Sequence, residues 1–435
     1  SLRRQRQMCI RDRTRGLFSM KRSKQYAKYA LLLLLIPISI VLFFMDQVGL
    51  VKLYRQNHTE KQDMVYNAVS LYEKQGKEKS TKNLQLYARS AALMDADNGR
   101  ILYQKNGTKR VPMASTTKIM TCLVVLENAN LDDVVLISAN AAKQPKVKLN
   151  VIAGEKYYVK DLLYALMLES CNDVAVALAE HVGKSVEGFA ELMNQKAQEL
   201  QCYNTHFVTP NGLDSKEHYS TAEDLCKMGA YAIKNETFVA ITNTSSHQFS
   251  EISKGRSCAV HNKDAFLSMY AGAMGIKTGF TGNAGYCFVG AVKKEDRRLT
   301  SAVLASGWPP NKSYKWADTT MLMNYGCDAY RQETVFSCSV QPPMLRVHSG
   351  KNKSVAVTFE PYEDEMLVNG EETQKVVSVT PQYIDAPAKK GMEVGKVYYF
   401  LNDDAYKISP IYTQEDVFAL DLLYIWKGVV RLFLL

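Results

Sequence analysis

The sequence predicts an α/β (α+β) sandwich, with helices packed on an antiparallel sheet, followed by a small all-β domain and a terminal amphipathic helix. Three observations carry this. A strand–turn–strand pattern near residue 90 and three strands at 273–280, 286–293 and 298–306 enclose a strongly helical middle. Over 335–412, Val- and Thr-rich alternation is broken by the turn clusters H-S-G-K-N-K, V-N-G-E-E and A-K-K-G-M-E-V-G. Residues 417–435, V-F-A-L-D-L-L-Y-I-W-K-G-V-V-R-L-F-L-L, have a helical period with one polar edge.

Taken in order, residues 1–19 lack apolar periodicity and read as extraneous sequence ahead of Met20. A basic stretch then leads into A-L-L-L-L-L-I-P-I-S-I-V-L-F-F-M, residues 30–45. As a helix this run spans about 24 Å, short of a hydrocarbon core of about 30 Å. Segment 20–45 is therefore expected to be a signal peptide or an uncleaved signal-anchor, which makes the protein an exported one. Residues 46–84, polar and rich in Lys, Gln and Asn, read as a linker. The main domain, 85–330, opens with the strand L-Y-A-R-S-A-A-L-M-D, the turn D-N-G-R and the strand I-L-Y-Q-K. From Ser115 the chain runs S-T-T-K-I-M-T-C-L-V-V-L, apolar on nearly every side, as a buried helix does. Residues 159–182 and 185–200 read as helices, and G-N-A-G and K-K-E-D-R-R as the turns between the last three strands. The all-β domain covers 335–412. In the tail, 413–435, Asp421, Lys427, Gly428 and Arg431 share one side of a helix, and Leu, Ile, Val, Tyr424, Trp426 and Phe433 cover the rest. That pattern suits a helix lying in a membrane surface.

The formal charge of +10 does not mark a nucleic-acid protein. Residues 1–28 hold ten Lys/Arg and one acid, Asp12, so the remaining chain is close to neutral and has no basic patch. Nine cysteines are scattered without a C-x-x-C pair, which fits neither a disulfide framework nor a zinc site. There is no H-E-x-x-H, and the seven His show no ligand spacing, so no metal or other cofactor is called for.

Three short motifs carry chemistry. Ser115-x-x-Lys118 is the only Ser-x-x-Lys in the chain. On a helix the two share a face, and a lysine buried there loses hydration, so its amine can take the serine proton. Ser170-Cys171-Asn172 interrupts two apolar helical runs, where a loop can point Ser170 into a cleft; Ser138 to Asn140 is a second Ser-x-Asn. Lys277-Thr278-Gly279, the only Lys-Thr-Gly, sits on a strand. Acyl transfer needs a nucleophile and base (Ser115, Lys118), a proton relay to the leaving amine (Ser170 aided by Lys277), a group for the substrate amide (Asn172) and a carboxylate grip (Lys277, Thr278). The strand edge 277–281, Lys277 to Thr281, can pair with an extended peptide. The Ser115 N–H at a helix start can donate to an oxyanion.

This motif set, in this order, is that of the penicillin-binding proteins and class A β-lactamases. The stretches D-A-D-N-G-R-I-L-Y, V-P-M-A-S-T-T-K-I-M-T, L-L-Y-A-L-M-L-E-S-C-N-D-V-A, T-P-N-G-L-D and G-I-K-T-G-F-T-G-N-A-G-Y go further. Over about 86–412 the chain resembles the low-molecular-weight penicillin-binding proteins, the serine D-alanyl-D-alanine carboxypeptidases of peptidase family S11. The resemblance implies the penicillin-binding protein/serine β-lactamase sandwich and an acyl-enzyme on Ser115 that releases the terminal D-Ala of a peptidoglycan stem peptide. It implies that the Phe280 N–H completes the oxyanion hole with that of Ser115, and that β-lactams acylate Ser115 as covalent inhibitors. It also matches the tail to the family's membrane anchor, at the extracytoplasmic face of the bacterial membrane. Asn211 stands where many relatives carry His, and Glu223 where Arg is common; Lys263 is a further candidate for the cleft wall.

Other readings use the same residues. A class A β-lactamase deacylates with a loop glutamate, but no Glu-x-x-x-Asn lies between Asn172 and Lys277. A β-lactam sensor or scaffold would be acylated without turnover, and an endopeptidase or transpeptidase would differ in its acceptor pocket.

Overall fold

The computed structural model describes residues 26, 29, 33, 35–41, 66–76, 84–337 and 342–434. Residues 1–19 and most of the 20–45 segment therefore lie outside the described residues. The chain divides into two compact units, one of 79–333 with 366–370, the other of 1–78, 334–365 and 371–435.

The first described strand, β1 (Tyr66–Lys74), belongs to the second unit. The larger unit begins with β2 (Ser90–Asp95) and β3 (Ile101–Lys105), a 3-10 turn at Ala114–Thr117, and helix α1 (Lys118–Asn128). A layer of small elements follows: β4 (Val134–Leu136), α2 (Ala139–Ala142), β5 (Lys156–Tyr158), α3 (Val159–Tyr164), α4 (Asn172–Gly183) and α5 (Val186–Glu199). Then come α6 (Ala222–Ala232), α7 (Glu236–Asn243), β6 (Ser246–Ser250), β7 (Ser257–His261) and α8 (Phe266–Met269). The unit closes with β8 (Ala273–Thr281), β9 (Gly285–Lys294), β10 (Arg297–Leu304) and α9 (Tyr314–Ala329).

One five-stranded antiparallel sheet, in the order β3-β2-β10-β9-β8, organises this unit. The apolar run of β2 is continuous because both faces of the sheet are covered. Ala92 and Met94 point into a core with Leu225 and Met228 of α6, whereas Ala91 and Leu93 point into a second core with Leu322 and Met323 of α9. Full burial of each such Leu or Met is worth about 1.5–3 kcal/mol. Strand β8 is left at the sheet's edge, which is where the Lys-Thr-Gly motif lies.

The helical reading over 159–182 is split in the structure. After α3 the backbone widens into a π turn at Ala165–Glu169, and Ser170 then adopts a left-handed conformation, φ 67° and ψ 35°. Helix α4 restarts at Asn172. The break sets the Ser-x-Asn triplet between two helices, as its interruption of the apolar runs implied.

In the second unit the sheet order is β1, Gln374–Pro381, Glu393–Leu401, Asp404–Thr413 and Val357–Thr358. Part of the 46–84 segment read as a linker is thus a strand: β1 pairs antiparallel with Gln374–Pro381, from Tyr66 opposite Pro381 to Lys74 opposite Gln374. Its side chains are mostly exposed, so backbone hydrogen bonding holds it, and the polar segment around it concealed it. The tail forms a helix, α10 (Leu422–Leu434). Among the described residues, no helix is long and apolar enough to cross a membrane.

Candidate active site

The sequence folds a nucleophile turn between β3 and α1. Ala114 takes φ 49°, and the turn Ala114–Thr117 runs directly into α1. Gly212 packs against it from the T-P-N-G-L-D loop. At φ +82°, a Cβ on Gly212 would lie 2.1 Å from the Ala114 carbonyl oxygen, so only glycine fits. The same loop is tied down by His218, whose Nδ1 accepts from Val208 N–H (3.0 Å) and Thr209 N–H (3.4 Å). That fixes the tautomer: Nε2–H donates to Thr117 Oγ1 at 2.8 Å, and Thr117 Oγ1–H donates to the Ala114 carbonyl at 2.8 Å. Burial holds the His218 ring down at about 4, so it stays neutral.

Lys118, the first residue of α1, is fully buried. Its Nζ lies 3.0 Å from Ser115 Oγ, 2.9 Å from Asn172 Oδ1 and 2.6 Å from the Asn211 carbonyl oxygen. Burial, and then the neighbouring Lys277 charge, push the amine well below the usual lysine range. The three oxygens around it serve both protonation states: an ammonium donates to all three, whereas a neutral amine donates to the acceptor-only Asn172 Oδ1 and Asn211 carbonyl and turns its lone pair to Ser115 Oγ.

Asn172, expected at the substrate amide, has a buried side chain engaged at both ends. Oδ1 accepts from Lys118, while Nδ2 donates to the carbonyls of Pro145 (3.2 Å) and Lys146 (3.1 Å). It therefore orients the lysine in this state of the protein. Asp173 beside it accepts from Leu149 N–H (3.0 Å) and Val151 N–H (3.2 Å), which holds the 145–151 loop on the start of α4.

Ser170 Oγ is buried and has no hydrogen-bond partner among the described residues, a costly state for a hydroxyl unless something else completes it. Lys277 of β8 is buried, and its Nζ donates to the Thr278 carbonyl at 3.2 Å. Burial brings it down to about 8, opposed by Asp264 and Cys171. Asn172 holds Lys118, and the Lys277 charge acts on Lys118, so the three motifs converge; burial pushes the Cys171 thiol up to about 12, which leaves it protonated and inert. Gly279 of β8 abuts the nucleophile turn: a Cβ there would stand 3.1 Å from the backbone N of both Ser115 and Thr116. Thr278 is half-buried, and Phe280 is 44% exposed with its ring 4.6 Å from that of Tyr286. The Thr281 hydroxyl donates to Asp214 at 2.8 Å and accepts from Ala284 N–H at 3.0 Å, so its side chain closes the turn after β8.

The second Ser-x-Asn serves elsewhere: Ser138 caps α2, accepting from Ala141 N–H, and Asn140 donates to Glu180. Lys263 is exposed and pairs with Glu169, the residue before Ser170, at 3.4 Å. The Asn211 carbonyl, His218 and Asp264 enter the site environment without a motif to announce them. His218 and Asp264 could have been sought only as isolated titratable residues near a glycine turn and before a short apolar run.

Residues 77–307 match the D-alanyl-D-alanine carboxypeptidase family, peptidase family S11, and residues 330–418 match the penicillin-binding protein 5 C-terminal domain. The chain is 31% identical over 346 residues to the D-alanyl-D-alanine carboxypeptidase DacF of Bacillus subtilis, covering 78% of this chain and 88% of that protein. It is 35% identical over 249 residues to the D-alanyl-D-alanine carboxypeptidase of Streptomyces sp. strain K15, covering 54% and 84%. Among solved structures it is similar to penicillin-binding protein 5 from Haemophilus influenzae, with a TM-score of 0.59 and 27% identity over 77% of this chain and 98% of that one. The β-lactamase and turnover-free sensor readings draw no support from these matches. With the S11 match running through more than half of its length and the C-terminal domain match following it, this chain belongs to the D-alanyl-D-alanine carboxypeptidase family of low-molecular-weight penicillin-binding proteins.

Proposed function

We propose that this serine-type D-Ala-D-Ala carboxypeptidase of peptidoglycan stem peptides works through an acyl-enzyme on Ser115. The observation that carries the assignment is the buried Lys118 amine 3.0 Å from Ser115 Oγ, held there by Asn172 Oδ1 and the Asn211 carbonyl. As Ser115 Oγ attacks the carbonyl carbon between the two D-alanines, its proton passes to Lys118 Nζ. The oxyanion forms against the N–H groups of Ser115 and Phe280, at the narrow contact between the nucleophile turn and β8. Lys277 and Thr278 receive the terminal carboxylate, and the β8 edge pairs with the extended stem peptide. The Ser170 hydroxyl hands its proton to the departing D-Ala nitrogen as the C–N bond breaks and is reprotonated at the expense of the Lys118 ammonium, which returns that amine to its neutral form. Water then attacks the ester carbonyl and its proton passes to Lys118; as the ester C–O bond breaks, Lys118 gives that proton to Ser115 Oγ, which restores the enzyme. β-Lactams take the same first step and stop at the ester.

Family membership implies an extracytoplasmic enzyme. For its attachment, α10 supports a position in the membrane surface: Leu423, Tyr424 and Ile425 are exposed together, with Lys427 and Arg431 exposed on the same helix. Its start is capped by Asp421, which accepts from Tyr424 N–H at 2.7 Å and pairs with Lys351 at 2.7 Å.

The test is D-alanine release by the full chain from a soluble peptide ending in D-Ala-D-Ala. Catalytic release that benzylpenicillin blocks and Ser115→Ala abolishes supports the assignment. Release that persists in Ser115→Ala contradicts it.

A further inference from the structure

The roles proposed along β8 give the substrate a direction. With its terminal carboxylate at Lys277 and Thr278 and the scissile carbonyl at the Phe280 N–H, the rest of the stem peptide leaves the strand past Thr281, at the turn 282–285. An indole covers that turn. Trp308, in the loop between β10 and α9, donates Nε1–H to the Gly282 carbonyl at 2.8 Å. Its ring lies against Gly285, where a Cβ would stand 2.9 Å from Cε2 and Cζ2. The Arg89 guanidinium lies over the indole, its carbon 4.5 Å from the ring centroid. Two residues earlier Tyr87 stacks on Tyr314, with centroids 3.8 Å apart and planes 13° from parallel. Tyr87 and Arg89 flank the buried Ala88 and are both exposed, Tyr87 by 55%.

This pair is held from beneath. Asp318 of α9, buried, accepts from Tyr87 N–H at 2.9 Å, Ala88 N–H at 2.7 Å and the Ser306 hydroxyl at 2.6 Å. Arg89 N–H donates to the Leu304 carbonyl at 3.1 Å. An arginine stacked on an aromatic ring has its fork set in advance. No ion pair or hydrogen bond takes up the Arg89 guanidinium among the described residues. A flat ring and a flat set of unspent donors therefore stand side by side, next to the end of β8.

We propose that Tyr87 and Arg89 form a saccharide subsite, which holds the sugar that carries the stem peptide. The proposal rests on the carboxypeptidase reading of the neighbouring site. The C–H face of a pyranose is apolar and lies flat on an aromatic ring, while its hydroxyl and N-acetyl oxygens accept hydrogen bonds, which suits a side chain with donors only. The reach agrees. The four residues ahead of the scissile bond in a stem pentapeptide span at most about 14 Å. The turn begins two residues past Phe280, about 7 Å along the strand. The remaining length carries the sugar across the indole to Arg89 and Tyr87. Phe280, 44% exposed, leaves an apolar surface for the peptide on the way.

The experiment gives the full-length protein two substrates: a free pentapeptide ending in D-Ala-D-Ala, and the same pentapeptide linked to an N-acetylated muramyl disaccharide. The readout is kcat/KM for D-alanine release from each. Wild type should favour the saccharide-bearing substrate by about tenfold, the worth of one well-formed ring contact. Tyr87→Ala, Arg89→Ala and Arg89→Lys should each reduce that preference and leave release from the free peptide unchanged. Tyr87→Phe, which keeps the ring, should retain it. Equal kcat/KM for the two substrates in wild type overturns the proposal, as does a preference that survives both alanine variants. A loss shared by both substrates in the Arg89 variants also overturns it, because the guanidinium would then serve a carboxylate of the peptide. A shared loss in Tyr87→Ala with a lowered unfolding temperature does the same, assigning the ring to the fold. A wild-type protein that releases D-alanine from neither substrate and is not acylated by penicillin overturns instead the reading on which the proposal rests.

Discussion

Replacing Gly279 by alanine tests the narrowest contact in the site. The added Cβ would meet Ser115 N and Thr116 N at 3.1 Å and Ala114 Cβ at 3.2 Å. Ordinary van der Waals contact begins near 3.4 Å, so the turn and β8 must separate by about 0.3 Å. None of the three atoms is the end of a flexible side chain, and Ala114 is pinned by Gly212 and Thr117. The two N–H groups proposed to hold the oxyanion sit on opposite sides of this contact, so the displacement opens the space between them. Loss of one such donor costs about 10²–10³-fold, and a 1 Å misplacement about 10²-fold. A shift of about 0.3 Å should therefore slow acylation by roughly tenfold or somewhat more. The assay is the second-order rate of acylation by a fluorescent penicillin, with the unfolding temperature measured in parallel. An alanine variant that acylates within about twofold of wild type refutes the reasoning, because the β8–turn contact would then not set the hole.

Three further outcomes are expected. The kcat/KM for D-alanine release should be bell-shaped in pH: it rises as Lys118, held below the usual lysine range, loses its proton, and falls as Lys277 loses its own near 8; a profile flat through pH 8 contradicts the carboxylate role of Lys277. His218→Ala orphans two backbone N–H groups and frees Thr117, at about 1–3 kcal/mol per unpaired donor, so acylation should slow and the unfolding temperature drop. Because the folded ring resists protonation down to about 4 while the unfolded chain titrates near 6.5, wild-type stability should fall as pH drops across that interval, and calorimetry should find this slope lessened in the variant. Deleting residues 413–435 should leave activity on soluble peptide intact and reduce co-sedimentation with lipid vesicles; unchanged sedimentation would move the attachment to residues 30–45.

The parts of the site that were legible in the sequence are those fixed by local spacing. Ser115 and Lys118 lie three apart across the start of a helix, so their meeting needs no tertiary knowledge. Ser170 betrayed itself by breaking an apolar helical run, and the Lys-Thr-Gly strand by the G-N-A-G turn that follows it. What spacing could not supply is which backbone groups arrive from elsewhere. The Asn211 carbonyl reaches Lys118 only because Gly212 lets its loop close onto Ala114, a tertiary contact with no periodic signature. Residue type gave the hydrogen-bonding capacity of Asn172 but not its partners, Lys118 Nζ and the carbonyls of Pro145 and Lys146. Strand β1 escaped because its side chains are mostly solvated and the segment around it is polar.

The most direct test of the central claim is to locate the acyl group. The full-length protein is incubated with benzylpenicillin, digested, and its peptides are mapped by mass spectrometry. The account predicts one penicilloyl group per chain, on the peptide containing Ser115, absent from Ser115→Ala and slowed severely in Lys118→Ala. A label on any other residue, or one that survives in Ser115→Ala, contradicts it.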